Sequence, residues 1–319
     1  MWFGSKKNPD KYWKPGLAFL RSQKSDVSLG NGFKMPITWQ FSEIGTARLP
    51  FHYIRCDMKL FEFETAGQGY STSLVQAMRQ ALAEAWERMW LRIPQKIHQI
   101  GDFDFSSSNG FAAGATGSTA LNSARDELIE RSVVLTAWQN MTGWQPARPK
   151  SLTFKLLRSA LINEGWTVRL FKIEEVTFGP VLALLATHPE KGSVFDSKTI
   201  GDLPISRCES KLIHSVFRST FAQSKFEQDI HALPDSGGPQ DQAAFYRNPL
   251  AIQAFAFLDQ IEAQQGIIEL PDPQNVRQQI FFASASMPAV AVATHSQWPV
   301  LSWGKESIAG KNSWPHPLA

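Results

Sequence analysis

The sequence predicts an α+β fold in which mixed sheets pack against helices. Two segments, 71–93 and 118–142, carry apolar residues at the spacing of an amphipathic helix. The segments WTVRLFKI, PVLALLATH and MPAVAVATH are short apolar or alternating runs, which are typical of strands. Further helical patterns lie at 204–225 and 248–264, so helices and strands mix along the chain.

Composition and charge exclude several functional classes. The 319 residues are 43% hydrophobic and 19% charged, which is enough to bury a sizeable core. The net charge of +3 is too small to indicate a nucleic-acid surface, so we expect no nucleic-acid partner. Two cysteines form neither a disulfide framework nor a cysteine zinc site, which favours a cytoplasmic protein. No apolar run approaches the roughly 20 residues of a spanning helix, and we expect no membrane role.

The first predicted helix follows a region without clear periodicity, residues 1–60. KLFEFETAG, at 59–67, predicts a short strand that ends in a glycine turn. Ser71, Thr72 or Ser73 can cap the helix, and Pro94 ends it. We expect the apolar stripe that faces the core to consist of Val75, Met78, Leu82 and Met89.

The second predicted helix follows a loop of small residues, SSNGFAAGATGST, and runs to Gly143. Its expected stripe consists of Leu121, Leu128, Leu135 and Trp138. The polar stretch LPDSGGPQDQ, at 233–242, is interpreted as an internal surface loop rather than a linker. The sequence therefore predicts a single domain over 1–319 that contains a pseudo-repeat of two helices.

Both helices carry the same pattern of alanine, glutamate and arginine. ALAEAWER at 81–88 and ARDELIER at 124–131, each with an earlier alanine at 77 or 120, share A-x-x-x-A-x-x-E-x-x-E-R. Small residues four apart permit close packing of a neighbouring backbone, and glutamates three apart share one helix face. Each helix therefore presents two carboxylates together.

These glutamates have two interpretations. Glu84 with Arg88 and Glu127 with Arg131 could be surface i,i+4 pairs worth about 0.3–0.5 kcal/mol, which is the better interpretation for any single helix. The repetition favours a second interpretation, because carboxylates that converge from two helices repel one another unless they are protonated or share a cation such as Mg²⁺. The predicted metal ligands are Glu84, Glu87, Glu127 and Glu130.

In this context the repeats resemble the two signature regions of the YcaO proteins. The residues that carry the resemblance are GQGYS leading into EAWER, and SSNGFAAG leading into ELIER. Similarity extends to INEGWTVRLFKI with GPVLALLA, to FYRNP, and to the closing WPHPLA, which resembles the proline-rich tail of azoline-forming members. The resemblance implies a YcaO-type ATP-binding fold without a Walker loop. In that fold the four glutamates hold Mg²⁺ against the triphosphate of ATP.

The resemblance also implies the chemistry of an ATP-dependent peptide cyclodehydratase. A Cys, Ser or Thr side chain of a ribosomally made peptide attacks the preceding amide, ATP phosphorylates the amide oxygen, and loss of phosphate leaves an azoline, the precursor of a thiazole or oxazole. Arg131 is expected to contact phosphate, and Arg88 is either its counterpart or a structural partner of a glutamate. The remaining implied site residues are Gln68 and Asn109 for the cofactor, and Pro317 and Ala319 for catalysis.

The sequence departs from the family pattern at several positions. Gln68 lies between two glycines where the family usually has lysine, and Ala115 lies where asparagine is common, although Asn109 is nearby. The third helical block, SRCESKLIHSVFRSTF, lacks a glutamate that related proteins usually have, and Glu209 lies one turn too early. The short spacing between the first helix and SSNG would suit a minimal or partner-dependent enzyme.

The implied partners are a precursor peptide and a leader-peptide-binding (E1-like) protein, with a flavin-dependent dehydrogenase as a further candidate. Two other functions stay open. One is a thioamide-forming YcaO enzyme that uses an external sulfur source, and the other is a degenerate, non-catalytic scaffold subunit. The proline-rich end of the sequence favours the azoline-forming type.

Overall fold

The computed structural model describes residues 21–30, 33–46, 49–92, 109–201, 203–222, 245–263, 266–282, 287–299, 314 and 316–318. The chain forms two compact units. Unit 1 comprises residues 1–89 and 218–227, and unit 2 comprises residues 90–217 and 228–319. The single domain over 1–319 stays a prediction, and the proposed loop at 233–242 lies outside the described residues.

Unit 1 contains a four-stranded antiparallel sheet with its strands in chain order. The strands are β1 (Arg21–Gly30), β2 (Phe33–Thr46), β3 (Leu49–Leu60) and β4 (Phe63–Ser71). The sequence reading of 1–60 as aperiodic missed the first three. A signal was present in β2, where apolar residues alternate with polar ones and are buried because one face of the sheet covers the core. These residues are Met35, Ile37, Trp39 and Phe41.

The predicted strand KLFEFETAG is interrupted in the structure. β3 ends at Leu60 and β4 begins at Phe63, so the segment is a hairpin rather than one strand. Phe61 in the turn has a positive φ of 52° and is 70% exposed. Two-residue hairpin turns of this kind usually contain glycine or asparagine, so the sequence shows no turn signal here.

Helix α1 (Leu74–Arg92) begins where the sequence predicts. The Ser73 hydroxyl accepts a hydrogen bond from the Gln76 N–H at 3.4 Å, which satisfies one free donor of the first turn. The predicted apolar stripe is partly wrong, because Val75 is 58% exposed while the alanines of the repeat are fully buried. The buried face consists of Ala77, Ala81, Ala85, Trp86 and Met89.

Two glycines of β4 explain the alanine face of α1. A Cβ atom at Gly67 would overlap the Ala81 carbonyl oxygen, and one at Gly69 would overlap the Ala77 carbonyl oxygen. Strand and helix backbones therefore lie closer than any larger side chains would permit. The close packing expected from alanines four apart is present in unit 1.

Unit 2 contains two antiparallel sheets, whose strand orders are β6-β7-β8-β9 and β10-β11-β5. The strands are β5 (Phe111–Gly114), β6 (Trp144–Pro146), β7 (Thr167–Ile173), β8 (Val181–His188), β9 (Gly192–Thr199), β10 (Arg277–Phe282) and β11 (Ala289–Thr294). The helices are α2 (Gly117–Asn140), α3 (Leu152–Asn163) and the part of α4 (Ile205–Ala222) that extends to Phe217. Strands β7, β8 and β11 lie where the sequence predicts them. The predicted helix at 248–264 is instead a 3-10 segment, Pro249–Ala263, with non-helical backbone at Gln260.

Helix α2 passes through the core of unit 2. Thr116 and Thr119 form a capping box at its start, and Met141 in the left-handed conformation ends it. Of the predicted stripe, Leu128, Leu135 and Trp138 are buried and Leu121 is partly buried. Within the described residues, no helix is both long enough and apolar enough to cross a membrane.

Candidate nucleotide and metal site

The first E-x-x-E-R sequence lies on α1 in unit 1. Glu84 Oε1 lies 2.6 Å from Arg88 Nη2, and Glu84 Oε2 accepts a hydrogen bond from the Gln68 backbone N–H. Arg88 Nη1 donates to the Ala66 carbonyl oxygen at 2.8 Å. Glu84 and Arg88 therefore bind both one another and strand β4.

The second E-x-x-E-R sequence lies on α2 in unit 2 and forms the same pair. Glu127 Oε1 lies 2.7 Å from Arg131 Nη2, and Arg131 Nη1 donates to Asn109 Oδ1 at 3.3 Å. In the described part of the chain, no hydrogen bond reaches the other carboxylate oxygen of Glu127. Burial raises the pKa of Glu127, while the positive charges of Arg131 and Lys198 oppose that rise.

Glu130, the other glutamate of the second sequence, is buried and fully bonded. Its Oε1 accepts a hydrogen bond from the Ser197 hydroxyl at 3.0 Å. Its Oε2 accepts one from Lys198 Nζ at 3.0 Å and one from the Thr199 backbone N–H at 3.2 Å. The negative charge of Glu130 raises the pKa of Lys198, so this lysine stays protonated beside it.

Two further ionisable groups surround this ion pair. Burial, and then the charge of Glu130, raise the pKa of Asp196. Burial, and then the positive charge of Lys198, lower the pKa of Lys211 on α4. Strand β9 therefore brings a group of charges to α2 that sequence reasoning missed. The only available signal was the pair of charged residues inside the strand FDSKT.

The structure divides the predicted site residues between the two units. Gln68, Glu84, Glu87 and Arg88 belong to unit 1, whereas Asn109, Glu127, Glu130 and Arg131 belong to unit 2. Pro317 is buried in unit 2, and Ala319 lies outside the described residues. The catalytic roles of Pro317 and Ala319 stay predictions.

The segment around Pro317 packs into unit 2. The Trp138 indole N–H donates to the Trp314 carbonyl oxygen at 3.1 Å, and Leu318 belongs to the hydrophobic core. Phe245 lies against Trp314, with 6.1 Å between ring centroids. Residues 316–318 are therefore buried rather than frayed, as expected from the tryptophan near the end of the sequence.

The glutamate carboxylates are oxygen donors of the kind that Mg²⁺ prefers, but they are not equally available to a metal ion. The described residues contain no group of three or more His, Cys, Asp or Glu side chains that could hold a metal ion. Glu127 has a carboxylate oxygen available to a cation. Glu130 would first have to exchange Lys198 for the metal, since both of its oxygens accept hydrogen bonds. The four-glutamate ligand set stays a prediction.

Two of the departures from the expected pattern have clear structural settings. Ala115 is exposed in the turn between β5 and α2, whereas nearby Asn109 is buried and bonded to Arg131. Glu209 accepts hydrogen bonds from the backbone N–H groups of Lys150 and Ser151, at the start of α3. Glu209 therefore has a structural role at a helix N-terminus.

Comparison with known proteins identifies the family. Residues 93–201 match the family described as YcaO cyclodehydratase, which binds ATP and Mg²⁺. This region of the chain, 109 of its 319 residues, is similar to the YcaO family. It contains the second E-x-x-E-R sequence and not the first. No curated protein matches the chain.

Solved structures share the fold of the chain. YcaO from Methanopyrus kandleri bound with AMPPCP and Mg²⁺ is 12% identical with a TM-score of 0.51, over 86% of this chain and 84% of that one. The E. coli microcin synthetase McbBCD complex is 11% identical with a TM-score of 0.53, over 85% and 90%. A heterocyclase in complex with substrate and cofactor is 13% identical with a TM-score of 0.53, over 80% of this chain and 49% of that one.

The comparisons confirm the predicted family and the α+β, YcaO-type fold. The predicted cofactors, ATP and Mg²⁺, are confirmed as those of the family. The family match over 93–201 supports an ATP-dependent enzyme, whereas identities of 11–13% to the solved structures show the fold alone.

Proposed function

We propose that this chain is an ATP-dependent peptide cyclodehydratase that forms azoline rings in a ribosomally made, post-translationally modified peptide. The observation that supports the proposal best is the second E-x-x-E-R sequence, which lies inside the region matching a cyclodehydratase family. There, Glu127 combines a carboxylate oxygen bound to Arg131 with one available to a cation.

In the proposed reaction, the thiol or hydroxyl of a Cys, Ser or Thr attacks the carbonyl carbon of the preceding amide. The amide oxygen then receives the γ-phosphoryl group of ATP, which becomes ADP, because hydroxide is a poor leaving group. Phosphate leaves, the amide nitrogen loses its proton, and a C=N bond forms within the ring that the side-chain attack has closed. Mg²⁺ supplies neutralisation of the charge that develops on the transferred group.

The residues of unit 2 would act by holding charge in place. Arg131 is fixed by Glu127 and Asn109, so its guanidinium is pre-oriented for phosphate oxygens. Glu127 offers one oxygen to Mg²⁺, and Glu130 would do so only after it releases Lys198. In unit 1 we assign the corresponding metal-binding role to Glu84 and Glu87.

The proposed partners are a precursor peptide and a leader-peptide-binding (E1-like) protein, together with a flavin-dependent dehydrogenase that would oxidise azoline to azole. Two similar structures support the first two partners in general terms. The microcin synthetase is a McbBCD complex that has been solved with pro-MccB17 bound, and the heterocyclase structure contains a substrate.

A substitution at Glu127 tests the proposal. Glu127→Gln keeps the side-chain volume and removes the charge, so Mg²⁺-dependent ATP turnover with peptide and partner should fall roughly a hundredfold or more. The matched control is Glu190→Gln, the same change at an exposed position of unit 2 that should leave turnover unchanged. ATP turnover at the wild-type rate in Glu127→Gln would show that the metal assignment is wrong.

The product distinguishes the alternatives within the family. Mass spectrometry of the peptide should show loss of one water for each azoline formed. Exchange of oxygen for sulfur would instead identify a thioamide-forming enzyme. If the protein binds no ATP with or without Mg²⁺, it is a non-catalytic scaffold.

A further inference from the structure

Positive charge is concentrated around helix α3 at the surface of unit 2. Arg148 and Lys150 precede the helix, Lys155 and Arg158 lie within it, and all four side chains are exposed. We call these four residues the basic surface. The sequence contains no aspartate or glutamate between residues 146 and 163. The cations therefore have no acidic neighbour along the chain.

The basic surface also lacks acidic partners from other elements. Among the residues that the structure describes, no carboxylate lies within ion-pair distance of any of its four cations. On the neighbouring strand β7, by contrast, Arg169 is paired with Asp259. Arg158 Nε donates to the Val168 carbonyl oxygen of β7 at 3.3 Å, a contact that orients the guanidinium without neutralising it.

The positions of these charges do not favour the helix itself. The free N–H groups at a helix N-terminus carry partial positive charge, so cations there are unfavourable and carboxylates are favourable. The first turn of α3 contains no acidic residue, and Glu209 of α4 supplies the carboxylate that binds the N–H groups of Lys150 and Ser151. Arg148 and Lys150 therefore lie where positive charge opposes stability, a departure typical of binding surfaces.

Two exposed aliphatic side chains lie beside the basic surface. Leu152 is 71% exposed and Ile162 is 46% exposed. Their helical spacing places both on the same face of α3 as Lys155. The opposite face is buried and consists of Phe154, Leu157 and Leu161. Because a helix face that only meets water is usually polar, the two aliphatic residues indicate a contact surface.

This combination of cations and aliphatic groups suits an acidic protein segment that also has apolar side chains. Its carboxylates would pair with the cations, and its apolar side chains would cover Leu152 and Ile162. A nucleic-acid backbone offers no apolar partner for these two residues, and the net charge of the chain is only +3. We propose that the basic surface and its two aliphatic neighbours bind an acidic amphipathic segment of a partner protein. Binding there uses neither Glu127 nor Glu130, so it does not depend on the proposed function.

Fluorescence anisotropy with the full chain tests this binding. The probe is a labelled helix-forming peptide of about 16 residues, long enough to span α3, in which glutamates flank a stripe of leucines. Lys155→Glu combined with Arg158→Glu should weaken its binding roughly tenfold or more, because attraction becomes repulsion. The matched control is Lys191→Glu with Arg277→Glu, which changes the net charge equally at exposed positions elsewhere in unit 2 and should leave the affinity unchanged. Equal affinities in the two double variants, or no binding by the wild type, would overturn the proposal.

Further variants and probes separate charge from apolar contact and a protein partner from other polyanions. Leu152→Ser with Ile162→Ser should weaken peptide binding roughly three- to tenfold, since it removes apolar contact and leaves every charge in place. The same peptide with glutamine in place of glutamate should lose most of its affinity. Circular dichroism and the thermal midpoint check that each variant is folded. Tighter binding of a single-stranded RNA oligonucleotide, or of phosphatidylglycerol vesicles, than of the acidic peptide would reject a protein partner.

Discussion

The two E-x-x-E-R helices differ in how their shared sequence is used. Both form an i,i+4 ion pair, Glu84 with Arg88 at 2.6 Å and Glu127 with Arg131 at 2.7 Å. The α1 side chains are 31% and 50% exposed, whereas both α2 side chains are 19% exposed. The second pair therefore lies in a less polar environment, where charge interactions are stronger.

The two helices also differ at the second glutamate of E-x-x-E-R. Glu87 is half-buried on α1, whereas Glu130 on α2 is buried beneath β9 and paired with Lys198. Helix geometry alone fixes the distance between residues i and i+4, so both helices form the same kind of ion pair between the first glutamate of the sequence and its arginine. The environment of the second glutamate comes from other elements of the fold, and the sequence repeat does not extend to them.

Each helix also packs against a glycine-containing strand. Disrupting this contact, which both helices make, should have the largest effect on the free energy of unfolding. Gly69→Ala would place a Cβ atom on the Ala77 carbonyl oxygen, and Gly114→Ala would crowd the Ala120 N–H. Backbone cannot move aside cheaply, so each variant should lose about 3 kcal/mol of unfolding free energy or more. Urea denaturation followed by circular dichroism measures the loss.

Gly117→Ala is the control for these two substitutions. Its Cβ atom would meet Ile280 Cδ1 at 2.6 Å, which is the flexible end of a side chain, and alanine favours a helix. Its unfolding free energy should stay close to that of the wild type. A loss in Gly117→Ala as large as that in Gly69→Ala would show that tight packing at the glycine is not the cause.

The sequence predicts features that depend on local geometry better than those that depend on tertiary placement. The boundaries of α1 and α2 and the ion pair of Glu84 with Arg88 follow from caps and helical spacing. The buried face of α1 was predicted only in part, since Met89 is buried but Val75 is exposed, because the backbone approach at Gly69 decides which face is buried. Lys198 was missed, since it reaches Glu130 from an element distant in sequence.

Removing Lys198 should show how far the environments of Glu130 and Glu87 differ. Lys198→Met leaves Glu130 buried without its cation, which should lower the free energy of unfolding by about 3 kcal/mol. Glu87→Gln on α1 should change it far less. Chemical denaturation at neutral pH gives both values.

The control for Lys198→Met is Lys191→Met, the same change at an exposed position beside β9. Adding Glu130→Gln to Lys198→Met should restore part of the lost stability, because no uncompensated buried charge remains. If the double variant is less stable than Lys198→Met alone, Glu130 is not the partner that makes Lys198 necessary.

The smallest expected effect on stability is the difference between the two glutamate–arginine ion pairs of the repeat. Arg88→Gln removes a half-exposed partner of Glu84 and an exposed hydrogen bond to the Ala66 carbonyl oxygen, which water can replace, so it should cost only about 0.5 kcal/mol of unfolding free energy. Arg131→Gln also removes the hydrogen bond to buried Asn109 and leaves the more buried Glu127 without its cation, so about 1–2 kcal/mol should be lost. Raising the salt concentration should reduce the first loss more than the second, because exposed charges are screened more strongly. Equal losses with equal salt dependence would mean that the surroundings of α2 add nothing to the ion pair, contrary to the burial of Glu127 and Arg131.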